Sequence, residues 1–175
     1  NLIRIRGVGY MKFILISGKA GAGKTTLANM LASRLEDSKV LSFANPIKKI
    51  AYELHWDGNK DNAGRKLLQT IGDVGREYKE TIWIELVLRE VNKERYIIFD
   101  DLRYYNEYKY IKDNFRDIYT ILVTCRAYNL DPSLSNHSSE NDMVNRKDLY
   151  DYIVCNNKTL EHLKKIAEEI LIRVK

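Results

Sequence analysis

The sequence reads Gly18-Lys19-Ala20-Gly21-Ala22-Gly23-Lys24-Thr25 directly after the short apolar run Phe13–Ser17. These eight residues fit the pattern GxxxxGK[ST] at every fixed position. Leucines that recur every four residues predict an amphipathic helix after the pattern, from about Lys24 to Glu36. A buried strand, a glycine-rich turn and a helix N-terminus are the parts of a P-loop, whose backbone N–H groups and helix dipole hold phosphate oxygens. The stretch therefore predicts a nucleoside triphosphate site.

Each part of this loop has a defined task toward a phosphate chain. Glycine leaves room for the backbone to approach phosphate oxygens closely. We expect Lys24 to reach the β- and γ-phosphates of ATP and the Thr25 hydroxyl to bind Mg²⁺. The predicted cofactor-binding residues are the whole motif and the residue after it: Gly18, Lys19, Ala20, Gly21, Ala22, Gly23, Lys24, Thr25 and Thr26.

The rest of the chain alternates between strand and helix patterns. Four further apolar runs predict strands, at Val40–Phe43, Tyr96–Phe99, Ile118–Thr124 and Tyr152–Cys155. Helical stripes lie between them, and Asn45-Pro46 predicts an N-cap followed by proline in the first turn. This alternation predicts an α/β protein with the three-layer P-loop NTPase fold, in which helices flank a five-stranded parallel sheet.

Composition excludes several classes of protein. The chain has 175 residues with a net charge of +5, and 45% of its residues are hydrophobic, which is typical of a folded domain. No apolar run approaches the roughly 18 residues that span a bilayer. Cys125 and Cys155 are too few for a disulfide framework, so we expect free thiols and a cytoplasmic protein, in a host cytoplasm if the chain is viral. The charge excess has no dense basic block, so we expect neither direct nucleic-acid binding nor membrane binding.

Polarity divides the chain into segments. Residues 1–10 form an N-terminal extension of unassigned role without the features of a secretory signal, and residues 11–175 form a single domain. Helical patterns between the second and third strands suggest an arm over about residues 45–93 that binds an acceptor. The polar residues 126–150 suggest a lid. A GTPase is disfavoured because Asn157-Lys158-Thr159-Leu160 lacks the aspartate of a guanine-reading motif.

Several further segments resemble one family. In chain order they are Phe43-Ala44-Asn45-Pro46-Ile47-Lys48, Gly64-Arg65-Lys66-Leu67-Leu68-Gln69-Thr70-Ile71-Gly72, Asp101-Leu102-Arg103-Tyr104-Tyr105-Asn106-Glu107, His137-Ser138-Ser139-Glu140 and Asp151-Tyr152-Ile153-Val154-Cys155-Asn156. With the P-loop, they make the chain from Met11 onward similar to the phage-type deoxynucleoside monophosphate kinases of the P-loop nucleoside monophosphate kinase group. Asn45 stands where an acidic residue is common in that family, and Tyr105 where proline is common.

A carboxylate at the end of the third strand is the predicted second metal ligand. Asp100 and Asp101 both end an apolar strand at the edge where parallel sheets bind ligands. We favour Asp101, because the family-like segment begins there, and expect one of the two aspartates to cap the helix beginning near Tyr104. Arg103 follows close to the phosphates. Either Arg126 or Arg146, which flank the lid, can meet the transferring phosphoryl group, and Arg126 is placed with Lys24 and Arg103 among the catalytic residues.

The acceptor site is predicted from residues of the arm and lid. Arg65 can grip a monophosphate with two parallel hydrogen bonds, and Gln69 lies on the same helix face and can read a base edge. The remaining candidates are Lys48, Trp83, Arg103, His137 and Glu140. A solvated surface charge is the alternative for Arg65 and Lys48, and core packing is the alternative for Trp83.

The resemblance implies an ATP- and Mg²⁺-dependent kinase for a (deoxy)nucleoside 5′-monophosphate, which gives the diphosphate and ADP. Phosphoryl transfer depends on positioning and charge neutralisation, so no strong base is required. The alternatives are another small-acceptor kinase of the dephospho-coenzyme A kinase or adenylate kinase type, and an ATP-dependent switch without turnover. The acceptor base, the sugar preference and the oligomeric state stay open, with a homodimer among the options.

Overall fold

The computed structural model describes residues 11–124 and 141–175. Its sheet contains five parallel strands: β1 (Lys12–Ser17), β2 (Ser38–Leu41), β3 (Tyr96–Leu102), β4 (Asp117–Thr124) and β5 (Tyr152–Cys155). Their order across the sheet is β2-β3-β1-β4-β5. The predicted five-stranded parallel sheet with flanking helices is confirmed.

Six helices pack around this sheet in the described part of the chain. They are α1 (Lys24–Ala32), α2 (Asn45–Glu53), α3 (Asn62–Tyr78), α4 (Ile82–Leu88), α5 (Tyr105–Asn114) and α6 (Leu160–Val174), and a short 3₁₀ turn spans Lys147–Leu149. Thr159 caps α6 as predicted, because its side chain accepts the His162 N–H.

Two predicted helix ends were wrong. The helix after the P-loop ends at Ala32, earlier than expected, because the chain tightens into a turn in which the Arg34 N–H donates to Leu31. The apolar period nevertheless continues, since Leu35 still packs in the core. The N-cap of α2 is Ala44, which makes no side-chain cap hydrogen bond, and Asn45 is the first helical residue.

Two hydrophobic cores lie on opposite faces of the sheet. Successive strand residues point to opposite faces. Ile14 and Ile16 of β1 pack with α1 and α6, whereas Phe13 and Leu15 pack with α4 and α5. The result is the expected three-layer arrangement of helix, sheet and helix.

The topology creates a crevice between β1 and β3. These strands are neighbours, but the chain leaves β1 toward β2 on one side and leaves β3 toward β4 on the other. Ligands bind open α/β sheets at the carboxyl ends of strands where connections diverge in this way. The P-loop follows β1, and Asp100 and Asp101 belong to β3, so the topology brings both to this crevice.

Helices α2, α3 and α4 form the connection from β2 to β3, within the segment predicted as the arm. The Asp61 carboxylate caps α3 by accepting the Gly64 N–H at 2.8 Å. None of the described helices is long and apolar enough to cross a membrane.

Candidate active site

A cavity of about 370 Å³ lies over the carboxyl ends of β1 and β3. Four parts of the chain form its walls: the P-loop and the start of α1, the segment after β2, the arm helices, and the junction between β3 and α5. Predicted site residues from distant parts of the sequence therefore meet there: Ala20, Gly21, Lys24, Thr25, Lys48, Arg65, Gln69, Trp83, Asp101 and Arg103.

The P-loop is packed too closely to accept side chains at two of its glycines. Gly18 has a φ of +145°, and a Cβ atom there would lie 2.3 Å from the Val123 carbonyl oxygen. Gly23 has a φ of +98°, and its Cβ would lie 2.5 Å from Asn156 Nδ2. That amide donates to the Ala22 carbonyl at 2.9 Å. The loop is thus held against β4 and the end of β5.

Lys24, predicted to be catalytic, is folded back over its own loop. Lys24 is 8% exposed, and its Nζ donates to the Lys19 carbonyl at 2.8 Å. Thr26 is exposed beside it at the start of α1. Lys24 and the loop together present positive charge to the cavity, as the motif predicts.

Asp100 is the carboxylate that faces the P-loop. The Thr25 hydroxyl donates to Asp100 Oδ2 at 2.6 Å. Burial raises the pKa of Asp100, and the neighbouring Asp101 charge raises it further. A half-buried carboxylate with raised pKa next to a P-loop hydroxyl is a favourable place for a cation, because a cation would offset both effects.

Asp101, the predicted metal ligand, is held by the segment after β2. Asp101 is 8% exposed and accepts hydrogen bonds from the Ser42 hydroxyl, from the Phe43 N–H at 2.8 Å and from the Ala44 N–H at 3.0 Å. The two aspartates lie where the pairing of β3 with β1 shifts register, between Phe99 and Leu102, so simple strand alternation does not assign their faces. Their contacts do: Asp100 meets the P-loop, and Asp101 meets the segment after β2.

Six cationic side chains line the cavity: Lys24, Lys48, Lys60, Arg65, Arg76 and Arg103. Partial burial lowers the pKa of Lys60, and the charges of Lys48, Arg65 and Arg103 lower it further. The Arg65 Nε also donates to the Lys60 carbonyl at 2.8 Å. Lys60 was missed because it lies in a polar stretch that reads only as a helix break.

Trp83 forms an almost buried part of the cavity wall. Trp83 is 4% exposed, and its Nε1 donates to the Gly72 carbonyl at 2.9 Å. The structural alternative of core packing is therefore confirmed, although the ring also lines the cavity. Gln69 lines the cavity together with Arg65, one turn apart on α3.

Sequence analysis also missed a group at the start of α5. Glu107 is 5% exposed, and its Oε2 accepts the N–H groups of Arg103 at 2.8 Å and Tyr104 at 3.0 Å. This capping box begins α5, so the expectation that Asp100 or Asp101 caps the helix was wrong. Burial raises the pKa of Glu107 to about 8, and the Asp101 charge contributes. Arg76 of α3 lies over the Tyr104 ring, 4.3 Å from its centroid.

Three predicted site residues, Arg126, His137 and Glu140, lie outside the described residues, as does Cys125. Arg146, the other arginine that flanks the predicted lid, pairs with Asp142 at 3.2 Å. Its guanidinium also lies over the Tyr105 ring, 4.4 Å from the centroid.

The fold and the P-loop cavity define a phosphotransferase of the P-loop class. The phosphomevalonate kinase family model matches residues 16–117, which is more than half of the chain. The chain belongs to this family. The match supports the kinase class of the predicted resemblance, but it does not confirm the phage-type deoxynucleoside monophosphate kinase subgroup.

Solved structures show the same fold at low sequence identity. TT1252 from Thermus thermophilus is 15% identical with a TM-score of 0.61, over 95% of this chain and 100% of that chain. A sugar kinase from Janibacter sp. HTCC2649 is 12% identical with a TM-score of 0.52, over 94% and 95% of the two chains. Shikimate kinase from Acinetobacter baumannii is 15% identical with a TM-score of 0.51, over 94% and 93%. No curated protein matches the chain.

Proposed function

We propose that this protein transfers the γ-phosphoryl group of ATP, with Mg²⁺, to the phosphate of a nucleoside 5′-monophosphate. The observation that carries the proposal is the group of four cations, Lys48, Lys60, Arg65 and Arg103, in the same cavity as the P-loop. Partial burial lowers the pKa of Lys60, and repulsion from the other three cations lowers it further. An anionic acceptor would offset that repulsion, and a phosphate monoester matches the planar donors of arginine.

The P-loop side of the cavity fits the donor. Backbone N–H groups at the start of α1 and the Lys24 ammonium would hold the β- and γ-phosphates. Lys24 now donates to a backbone carbonyl, and phosphate oxygens would replace that acceptor. Charge that develops on the bridging oxygen during transfer would be stabilised by Lys24 more strongly than the ground state is.

The oxygen groups of Thr25 and Asp100 fit Mg²⁺. This ion prefers oxygen ligands, keeps several waters and binds through one or two protein groups plus substrate phosphates. Across the described residues no cluster of three or more His, Cys, Asp or Glu side chains could hold a metal by itself. When bound, the ion would supply charge neutralisation on the phosphates, and the role given to Asp101 from sequence passes to Asp100.

The remaining wall of the cavity supports a nucleoside as the body of the acceptor. Phe43, Trp83 and Tyr104 supply aromatic surface, and Gln69 supplies an amide that can donate to and accept from a base edge. Arg65 and Arg103 are placed to hold the acceptor phosphate. No side chain is required as a strong base, because that phosphate is already an anionic nucleophile.

Mevalonate 5-phosphate is the second candidate acceptor, and the family match favours it. It is also a phosphate monoester, so both reactions join two phosphates in a new anhydride and both need the same cations. The two candidates differ in the body of the acceptor: one carries an aromatic base, and the other carries a short chain with a carboxylate.

An acceptor panel tests the proposal. ADP formation would be followed with Mg-ATP alone and with each ribo- and deoxynucleoside monophosphate, mevalonate 5-phosphate, dephospho-coenzyme A and shikimate. We expect strong acceleration by at least one nucleoside monophosphate and none by shikimate, which has no phosphate. The control is Lys24→Ala, which should lose turnover by several orders of magnitude with every acceptor.

Three results would contradict this assignment. Acceleration by mevalonate 5-phosphate alone would replace the nucleotide acceptor with the second candidate. Acceleration by dephospho-coenzyme A alone would make the acceptor a hydroxyl group. Equal ADP formation with and without every acceptor would indicate an ATPase or a nucleotide-dependent switch.

A further inference from the structure

Glu107 occupies an unusual place for a helix-capping carboxylate. It is 5% exposed and lines the cavity, although a cap normally lies at the surface. Its Oε2 accepts two backbone N–H groups, from Arg103 and Tyr104, and both of these residues line the cavity as well. The contacts of Glu107 are therefore made with the cavity wall itself.

Burial disfavours the charged form of Glu107, which an exposed helix cap would avoid. Burial and the Asp101 charge raise the pKa of Glu107 to about 8, so the folded protein disfavours the charged form at neutral pH. A helix cap is worth about 1 kcal/mol, and an exposed side chain supplies it equally well. Local costs of this kind are typical of groups that serve a site.

The backbone of Arg103 is held from two sides. Its N–H donates to Glu107, and its carbonyl accepts the Met143 N–H at 3.2 Å. The backbone of Tyr105 is also fixed, because its N–H donates to Asp142 Oδ2 at 2.8 Å. With its backbone fixed on both sides, Arg103 has fewer ways to move away from the cavity.

Tyr104 extends this arrangement to the arm. The Arg76 guanidinium lies 4.3 Å from the centroid of the Tyr104 ring and also pairs with Asp73 at 2.8 Å. Both Arg76 and Tyr104 line the cavity. The hydrogen bond from the Tyr104 N–H to Glu107 thus fixes the backbone of the residue whose ring contacts Arg76.

We propose that Glu107 is a positioning residue of the acceptor site, which holds Arg103 and Tyr104 in place through their backbone N–H groups. This inference rests on the proposed function, because Arg103 is placed there at the acceptor phosphate. The proposed role requires only a side-chain oxygen that accepts hydrogen bonds from both N–H groups. Glutamine can supply such an oxygen, alanine cannot, and the shorter aspartate cannot reach both donors.

The test measures kcat and KM for the best acceptor of the panel, and Kd for ATP, in Glu107→Ala, Glu107→Asp and Glu107→Gln. We expect Ala and Asp to raise the acceptor KM roughly tenfold or more, the effect of losing one well-placed charged contact, with unchanged ATP binding. Glu107→Gln should keep the acceptor KM near the wild-type value. Glu36→Ala, at an exposed site between α1 and β2, is the matched control. If the Ala variant does not fold, the Asp and Gln variants decide.

A double-mutant cycle identifies the residue through which Glu107 acts. In an Arg103→Ala background, Glu107→Ala should add little to the acceptor KM. Additive effects, or equal losses of ATP and acceptor binding, would show a purely structural cap and overturn the inference while leaving the proposed function intact. A wild-type protein that uses no phosphate monoester would instead overturn the proposed function and this inference with it.

Discussion

Asp100 and Asp101 are neighbours in the chain but belong to different hydrogen-bond networks. Asp100 accepts from Thr25 on the P-loop side, and Asp101 accepts from the segment Ser42–Ala44 that leads into the arm. Two adjacent carboxylates thus connect the two halves of the cavity. One faces the P-loop side of the cavity, and the other holds the segment on the arm side.

This division predicts opposite effects of the two Asp→Asn variants. Asp100→Asn should raise the Mg²⁺ concentration needed for half-maximal rate by roughly 10–100-fold, the usual scale for losing a group beside a metal. Asp101→Asn should leave the Mg²⁺ requirement unchanged and raise the acceptor KM, because Ser42–Ala44 loses its charged acceptor. Initial rates over a Mg²⁺ series and an acceptor series would separate the two effects. A Mg²⁺ shift confined to Asp101→Asn would restore the original assignment.

The sequence pattern alone does not show that the two aspartates belong to different networks. The run Tyr96–Phe99 is apolar on both faces, so its pattern alone does not show which face meets α1. The P-loop, the helix after it and the parallel sheet could be predicted, because each depends on a local pattern in the sequence. The face of each aspartate depends on which helix covers which side of the sheet, and that is settled only by the assembled layers.

Two glycines in α3 show why an apparent weakness in a helix can be required. Gly72 and Gly75 interrupt the apolar stripe of the sequence. In the structure the Trp83 ring of α4 packs directly against this face, and a Cβ atom at Gly75 would lie 2.1 Å from the ring. The Gly72 carbonyl accepts the indole N–H. Glycine here permits close contact between α3 and α4.

Gly75→Ala should therefore destabilise the protein, although alanine is normally the better helix former. The buried ring would have to move, and overpacking of this kind costs about 1–3 kcal/mol. Val74→Ala, at the adjacent and 60% exposed position, is the control and should change stability little. Urea unfolding of both variants measures the free energies. An unchanged or increased stability of Gly75→Ala would show that the α3 and α4 packing is looser than described.

The assembled site draws on parts of the chain that are far apart in sequence. The P-loop and β3 meet because β1 and β3 are adjacent and their connections diverge. Arm residues such as Lys60 and Arg65 line the same cavity. Local patterns predicted most of the cavity wall on the P-loop side. On the arm side and at the start of α5, Lys60, Arg76 and Glu107 become recognisable only through their neighbours in space.

This arrangement predicts that the donor and acceptor sites can be impaired separately. Arg65 lines the acceptor half of the cavity on α3, well apart in the chain from the P-loop. If its guanidinium holds the acceptor phosphate, Arg65→Ala should weaken acceptor binding roughly tenfold to hundredfold, since a charge-assisted hydrogen bond contributes about 1.5–3 kcal/mol. ATP binding should stay nearly unchanged. Calorimetric titration of each nucleotide alone measures both affinities.

Two further variants make the Arg65 prediction specific. Arg65→Lys should recover only part of the acceptor affinity, because an ammonium group cannot reproduce a planar contact with two parallel hydrogen bonds. Lys66→Ala removes an exposed charge from the next position of the same helix and should leave both affinities unchanged, which separates a local contact from a general loss of positive charge. Unchanged acceptor affinity in Arg65→Ala would make Arg65 a solvated surface charge. The acceptor phosphate would then depend on Arg103, which also lines the cavity.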